Sequence, residues 1–220
     1  MSGPDVRMLT VGPIQENAYI VSAAGSSRAV LVDPGDEAER LLATAREFGV
    51  TIEAILVTHC HFDHIGAVAE VARATGAPVY CPEIERPVLA DIPSWTPPGF
   101  GPFESYEADQ TVAGGERLSL AGLDIEVLFT PGHSPGHVTY AIDGVLLSGD
   151  VLFQGSVGRV DLPGGDWNVL ERSIGTLLKA FPAETIVYPG HMSTTTLGQE
   201  RDANPFLQEL RVAADPAAGR

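Results

Sequence analysis

The placement of the histidines constrains this chain more than any other feature. All six, His59, His61, His64, His133, His137 and His191, sit just after an apolar stretch, in segments rich in Gly, Pro or Asp. Histidines used only for packing would be scattered over helices and surfaces, whereas strand ends in mixed α/β sheets are where functional loops collect.

The densest segment is Thr58-His59-Cys60-His61-Phe62-Asp63-His64. An extended backbone points His59 and His61 to the same side, so the two imidazoles can share one ion. The chain then turns into a helix starting near Ile65, which presents Asp63 and His64 to a neighbouring position. Four nitrogen and oxygen donors packed this closely are too many for incidental core packing, where unpaired polar groups are costly. A site with imidazole ligands wants three or four donors per ion, so this cluster needs completion from elsewhere. Thr130-Pro131-Gly132-His133, Ser148-Gly149-Asp150 and Tyr188-Pro189-Gly190-His191 each end an apolar run with one ligand-type side chain beside a glycine.

Periodicity predicts strands at 8–10, 18–21, 28–32, 52–57 and near 78–81, with helices over 37–48 and from about 65 to 74 between them. The second half predicts strands at 117–120, 124–130, 138–142 and 145–148, a helix near 167–181 and a last strand at 185–188. Asp166 reads as a helix N-cap, Thr196 with Gln199 as a capping box, and 205–212 as a final helix. Strands grouped in both halves with helices outside suggest two facing sheets covered by helices. Residues 90–106, with Trp95, Phe100 and Phe103, read as a loop, either over a pocket or packed on the surface.

A chain of 220 residues with 44% hydrophobic and 19% charged residues is expected to form one compact unit, 1–220. The net charge of −16 disfavours nucleic acid as a partner, because phosphate binding needs clustered Lys and Arg. No segment has the apolar length of a membrane span or a signal-peptide core, so a cytoplasmic location is expected. Cys60 and Cys81 are then expected to be free thiols.

The set T-H-C-H-F-D-H, T-P-G-H-S-P-G-H, S-G-D and Y-P-G-H resembles the metallo-β-lactamase superfamily. The stretches G-S-V-G-R-V-D-L-P-G-G-D (155–166), T-T-L-G-Q-E (195–200) and N-P-F (204–206) look like its short glyoxalase II-like, or hydroxyacylglutathione hydrolase-like, branch. The resemblance implies an α/β fold, an αββα four-layer sandwich of two mixed β-sheets flanked by helices, without the C-terminal helical domain of long glyoxalase II. It further implies that His59, His61 and His133 bind a first ion, that Asp63, His64 and His191 bind a second, and that Asp150 bridges them. Two divalent metal ions are expected, zinc foremost, with iron or manganese accepted by the same donors. The implied activity is hydrolysis of a small-molecule thioester such as S-lactoylglutathione, with Asp63 and Asp150 as catalytic residues of the centre.

Four other residues carry weaker expectations. His137 lies in the His133 loop and reads either as a substrate-binding side chain or as a local structural hydrogen bond. Arg159 could hold a substrate carboxylate, or could pair with Asp161 or Asp166 to fix its loop. Cys60 alternates away from the ligands, and Asp33 is a turn former able to brace a ligand loop. Two alternatives to thioester hydrolysis remain. One is a persulfide dioxygenase, which the H-C-H-x-D-H and G-R-x-D segments also resemble and which would hold a single iron through His59, His133 and Asp150; the other is a non-catalytic metal-binding protein. A true β-lactamase is disfavoured by Asp63 together with a bridging Asp150 and by the lack of an export signal, and a nuclease by the lack of a basic surface.

Overall fold

The computed structural model describes residues 3–208. The first sheet holds six strands in sequence order, β1 (Asp5–Val11), β2 (Glu16–Ser22), β3 (Arg28–Val32), β4 (Thr51–Leu56), β5 (Val79–Pro82) and β6 (Gln110–Val112). The β1, β2 and β3 strands pair antiparallel, and β3 to β6 run parallel. Each parallel step needs a crossover. These are α1 (Ala38–Glu47), then α2 (Phe62–Ile65) with α3 (Val68–Thr75), then the one-turn helices α4 (Arg86–Leu89) and α5 (Ile92–Trp95). The second sheet runs β7 (Arg117–Leu120), β8 (Leu123–Phe129), β9 (Val138–Ile142), β10 (Val145–Gly149), β13 (Ile186–Pro189) and β14 (Thr195–Thr196) in spatial order. Between β10 and its parallel partner β13 lie the hairpin β11 (Leu152–Phe153) and β12 (Ser156–Val157) and the helix α6 (Trp167–Ala180); α7 (Leu197–Ala203) follows β14.

Strand alternation builds the layers. In β3, Ala29 and Leu31 face outward onto Leu41 and Ala45 of α1 and Val68 and Val71 of α3. Val30 and Val32 point the other way and pack with Val127, Tyr140 and Leu147 of the second sheet. On the far side of that sheet, Leu146 and Val187 meet Leu170, Ile174 and Leu177 of α6 and Leu197 of α7. Three apolar clusters thus separate four layers, the α/β/β/α order that the sequence resemblance implies. Covered on both faces, β2, β9 and β10 carry no exposed residue.

Several elements differ from the sequence expectation. The single helix expected from about 65 to 74 is two helices meeting at Gly66 and Ala67, because the chain must turn between presenting Asp63 and His64 and packing Val68 and Val71. Residues 90–106 contain α5, and β6 was not expected at all, since three residues on a sheet edge carry too little periodicity to read. The Asp166 and Thr196 caps are formed, their side chains accepting from the backbone N–H of Val169 and Gln199. Of the helix expected at 205–212, a 3-10 turn covers Pro205–Leu207, and 209–212 lie outside the described residues. Among the described residues no helix is long and apolar enough to cross a membrane.

Topology brings the ligand-bearing ends together. The β8 and β9 strands are antiparallel, as are β9 and β10, while β10 and β13 are parallel, so β8, β10 and β13 all finish on one edge. The end of β4 joins them there. The backbone N–H of Val138 donates to the Thr58 carbonyl at 2.9 Å, and that of Asn17 to the Gly190 carbonyl at 2.7 Å. Deeper between the sheets the Tyr140 hydroxyl donates to the Val57 carbonyl at 2.9 Å in a fully buried setting. Replacing Tyr140 by Phe is expected to cost about 1 kcal/mol, seen as a lower urea midpoint at unchanged m-value.

Candidate metal centre

Three imidazoles meet at the edge between the sheets. His59 Nε2 lies 3.1 Å from His61 Nδ1 and 3.2 Å from His133 Nε2, and the last two atoms are 2.8 Å apart. Donors about 2.0–2.1 Å from a tetrahedral zinc are separated by roughly 3.3 Å, so this triangle is close to the size an ion requires. Burial, then the nearby charge of His64, holds His59 well below the usual histidine range. Burial, then His133, brings His61 down to about 4. Both rings therefore keep a free lone pair for a cation at neutral pH.

Asp63, His64 and His191 form a second group beside the first, with their ligand-type atoms within 4.8 Å of one another. His191 Nε2 is 3.2 Å from Asp63 Oδ2 and His64 Nε2 is 3.7 Å from it. Asp150 lies between the two groups. Its Oδ1 is 3.4 Å from His64 Nε2, while its Oδ2 is 3.4 Å from His133 Nε2 and 3.7 Å from His191 Nε2. Burial works against the charged form of Asp150, yet the charge of His64, followed by those of His133 and His191, keeps its carboxyl below the usual range. Burial likewise opposes protonation of His64, and the charges of Asp150 and Asp63 outweigh it and raise that ring.

The donors fit a cation on two independent counts. First, His64 Nε2 and Asp150 Oδ1 are buried and lack hydrogen-bond partners, although they face each other. Buried polar atoms are almost always satisfied, and a shared ion satisfies both. Second, the ring nitrogens turned away from the centre are engaged in ways that fix the tautomer. His133 Nδ1 is 2.7 Å from the Arg159 carbonyl and His191 Nδ1 is 3.2 Å from the Gln15 carbonyl. A carbonyl only accepts, so both Nδ1 atoms carry the proton and both Nε2 lone pairs face the centre. His64 Nδ1 donates to Asp33 Oδ2 at 3.0 Å. The Thr58 hydroxyl donates to the same oxygen at 2.6 Å and is thereby left to accept from His59 Nδ1 at 3.1 Å. Gly190 is required beside this cluster, because a Cβ there would overlap Asp150 Oδ1 and come within 2.6 Å of His64 Cε1.

The seven residues expected as ligands are thus brought together. His137 is not among them. Its buried Nε2 accepts from the Asp150 backbone N–H at 3.0 Å and its Nδ1 meets the Thr130 hydroxyl at 3.2 Å, which leaves no ring atom for a substrate. Its role is the local hydrogen bond, and the backbone it holds is that of Asp150. Arg159 uses its carbonyl on His133, while its exposed guanidinium makes a bidentate pair with Asp161, both bonds 2.7 Å. Cys60 points away from the centre, its Sγ 3.5 Å from that of Cys81, and both thiols are free.

Sequence reasoning missed three supporting groups. Tyr19 and Asn17 donate to the Pro189 carbonyl at 2.6 and 3.1 Å, and Asn17 also to that of Met192 at 2.9 Å, which fixes the His191 loop from the opposite sheet. Glu85 is buried against the His133 loop. Glu16 is buried beside His64 with neither carboxyl oxygen hydrogen-bonded, and burial, reinforced by Asp33, Asp63 and Asp150 against the pull of His64, pushes its carboxyl well above the usual range. Glu16 and Asn17 open a strand whose seven residues are all buried, a burial that no local pattern in the sequence marks.

An αββα sandwich that gathers such a donor set at the edge between its sheets defines the class of metal-dependent hydrolases built on paired mixed sheets. The chain belongs to the metallo-beta-lactamase superfamily, whose profile matches residues 11–191. It is 34% identical over 208 residues to the hydroxyacylglutathione hydrolase GloC of Haemophilus influenzae, covering 92% of this chain and 98% of that protein. The crystal structure of BLEG-1 B3 metallo-beta-lactamase superposes with a TM-score of 0.87 at 42% identity, over 93% of this chain and all (100%) of that one. TTHA1623 in a di-iron-bound form superposes with a TM-score of 0.75 at 45% identity, over 92% and 100% of the two chains.

An ion bound only by the native state stabilises it by about 2.7 kcal/mol at a hundredfold excess over Kd. Stripping the protein with a chelator and restoring zinc or iron is therefore expected to raise Tm by roughly 5–10 °C in a thermal scan, whereas calcium or magnesium, which prefer all-oxygen sites, leave it in place.

Proposed function

We propose that the protein is a two-metal hydrolase that cleaves a thioester, S-lactoylglutathione or a related acyl-thiol, into a carboxylate and a free thiol. The observation that carries this reading is the position of Asp150, whose two oxygens face His64 on one side and His133 and His191 on the other. In it His59, His61 and His133 would hold one ion, Asp63, His64 and His191 the other, and Asp150 would serve both, with zinc as the foremost metal. Ions held there would polarise a carbonyl and bring the pKa of water down to about 7. The chain's own part is to keep the imidazole lone pairs and the carboxylates of Asp63 and Asp150 directed at one point, through Asp33, Thr58, His137 and the Arg159 and Gln15 carbonyls. The overall reaction adds water across the C–S bond, the hydroxyl going to the acyl carbon and the proton to the departing sulfur.

The relation to GloC supports the thioester as substrate, and the di-iron form of TTHA1623 supports two ions. One observation favours a second reading, opening of a β-lactam ring at the same centre, namely the 42% identity to BLEG-1. A thioester and a β-lactam ask the same of the centre, a polarised acyl carbonyl and an activated water, so a substrate panel separates them. The expected result is two ions per chain by elemental analysis, turnover of S-lactoylglutathione or another acyl-thiol, and little on a chromogenic cephalosporin. One iron per chain with oxygen consumption on glutathione persulfide would replace the hydrolase by a dioxygenase, and full metal content without turnover of any panel member by a non-catalytic metal-binding protein. Asp150→Ala is expected to lower both metal content and turnover, the latter by more than the 10–100-fold typical of a residue that only supports a ligand. Unchanged metal stoichiometry in that variant contradicts the bridging role.

A further inference from the structure

Glu85 precedes α4, well outside the ligand motifs, and its side chain is 5% exposed. Its Oε1 accepts from the Ser134 hydroxyl at 2.7 Å and from the Gly136 backbone N–H at 2.8 Å. Its Oε2 faces the Cys60 backbone N–H at 3.4 Å. Ser134 and Gly136 lie in the loop that carries His133 and His137, and Cys60 stands between His59 and His61. One carboxylate therefore links both segments that supply the three-imidazole group. The loop is shaped to receive it, since a Cβ on Gly136 would stand 2.7 Å from Glu85 Cγ and 2.9 Å from Ile84 Cβ.

We infer that Glu85 is a positioning residue for the His59–His61–His133 group, holding the two ligand segments in register by hydrogen bonds to their backbone and to Ser134. The inference rests on the proposed reading of that group as a metal site. A buried carboxylate is costly unless its oxygens are satisfied, and here the satisfying donors are all parts of the ligand segments. Among the described residues Glu85 makes no hydrogen bond to Asp63, His64 or His191, so its effect falls first on the three-imidazole group and reaches the other only through Asp150, whose backbone His137 holds.

The test uses Glu85→Gln in the full chain. A glutamine oxygen can keep Ser134 and Gly136, but its amide nitrogen, a donor, cannot accept from Cys60. Zinc is titrated in competition with a chromogenic chelator, and kcat and KM are measured on the acyl-thiol that the wild type turns over. The expected result is a folded protein whose affinity at one of two sites falls about 10–100-fold, with a smaller loss at the second, which shares Asp150, and the loss of turnover in kcat rather than KM. A residue serving stability alone would lower the melting temperature and leave both affinities in place. If Glu85→Gln does not fold, Ser134→Ala decides, with about a threefold loss expected at the same site. Wild type with two ions and variants with unaltered affinities overturn the role of Glu85 and leave the metal centre standing. A wild type that takes up no ion overturns both.

Discussion

The structure depends on an arrangement that is unfavourable until a cation enters it. Three imidazole nitrogens stand 2.8–3.2 Å apart in a buried corner, and two further atoms, His64 Nε2 and Asp150 Oδ1, have no hydrogen-bond partner. Neutral nitrogens with their lone pairs converging repel, and burying unpaired polar groups costs free energy. A divalent ion removes both costs at once, so the scaffold's task is to hold the donors in place before the ion arrives.

That task falls on hydrogen bonds that run between strand ends rather than along strands. Asp33, at a left-handed φ of 47°, accepts from the Thr58 backbone N–H at 2.7 Å, from its hydroxyl at 2.6 Å and from His64 Nδ1 at 3.0 Å. One carboxylate thereby orients His64 directly and His59 through Thr58. His137 performs the same service for Asp150 by its backbone, and Tyr19 and Asn17 for the His191 loop. Each brace joins a ligand segment to a different part of the fold, so the centre is over-determined in the way that keeps a metal site rigid.

Much of this was legible beforehand. The four-layer architecture was read correctly, and the seven expected donors converge at one edge, because each leaves a short-range trace: period-two spacing in His59-Cys60-His61, glycine beside each lone donor, apolar residues in the strands buried on both faces. The misses share a cause. Glu85 and Asn17 act on residues 25 and more positions away, and no local pattern encodes a partner at that distance. For His137 and Arg159 the alternatives stayed open, because a histidine beside a ligand loop looks the same whether it faces a substrate or a backbone N–H. Tertiary burial decided the first, and the close pair with Asp161 the second.

The sequence by itself determined which side chains are available for chemistry and which of the longer segments become strands and helices, since both follow from residue type and spacing over a few positions. Only the tertiary structure decided that β4, β8, β10 and β13 end on a common edge, which nitrogen of each histidine faces the centre, and that Asp150 stands between the two groups. Those are properties of strand order and of hydrogen bonds across more than a hundred residues, and they are fixed when the two sheets pack, not before.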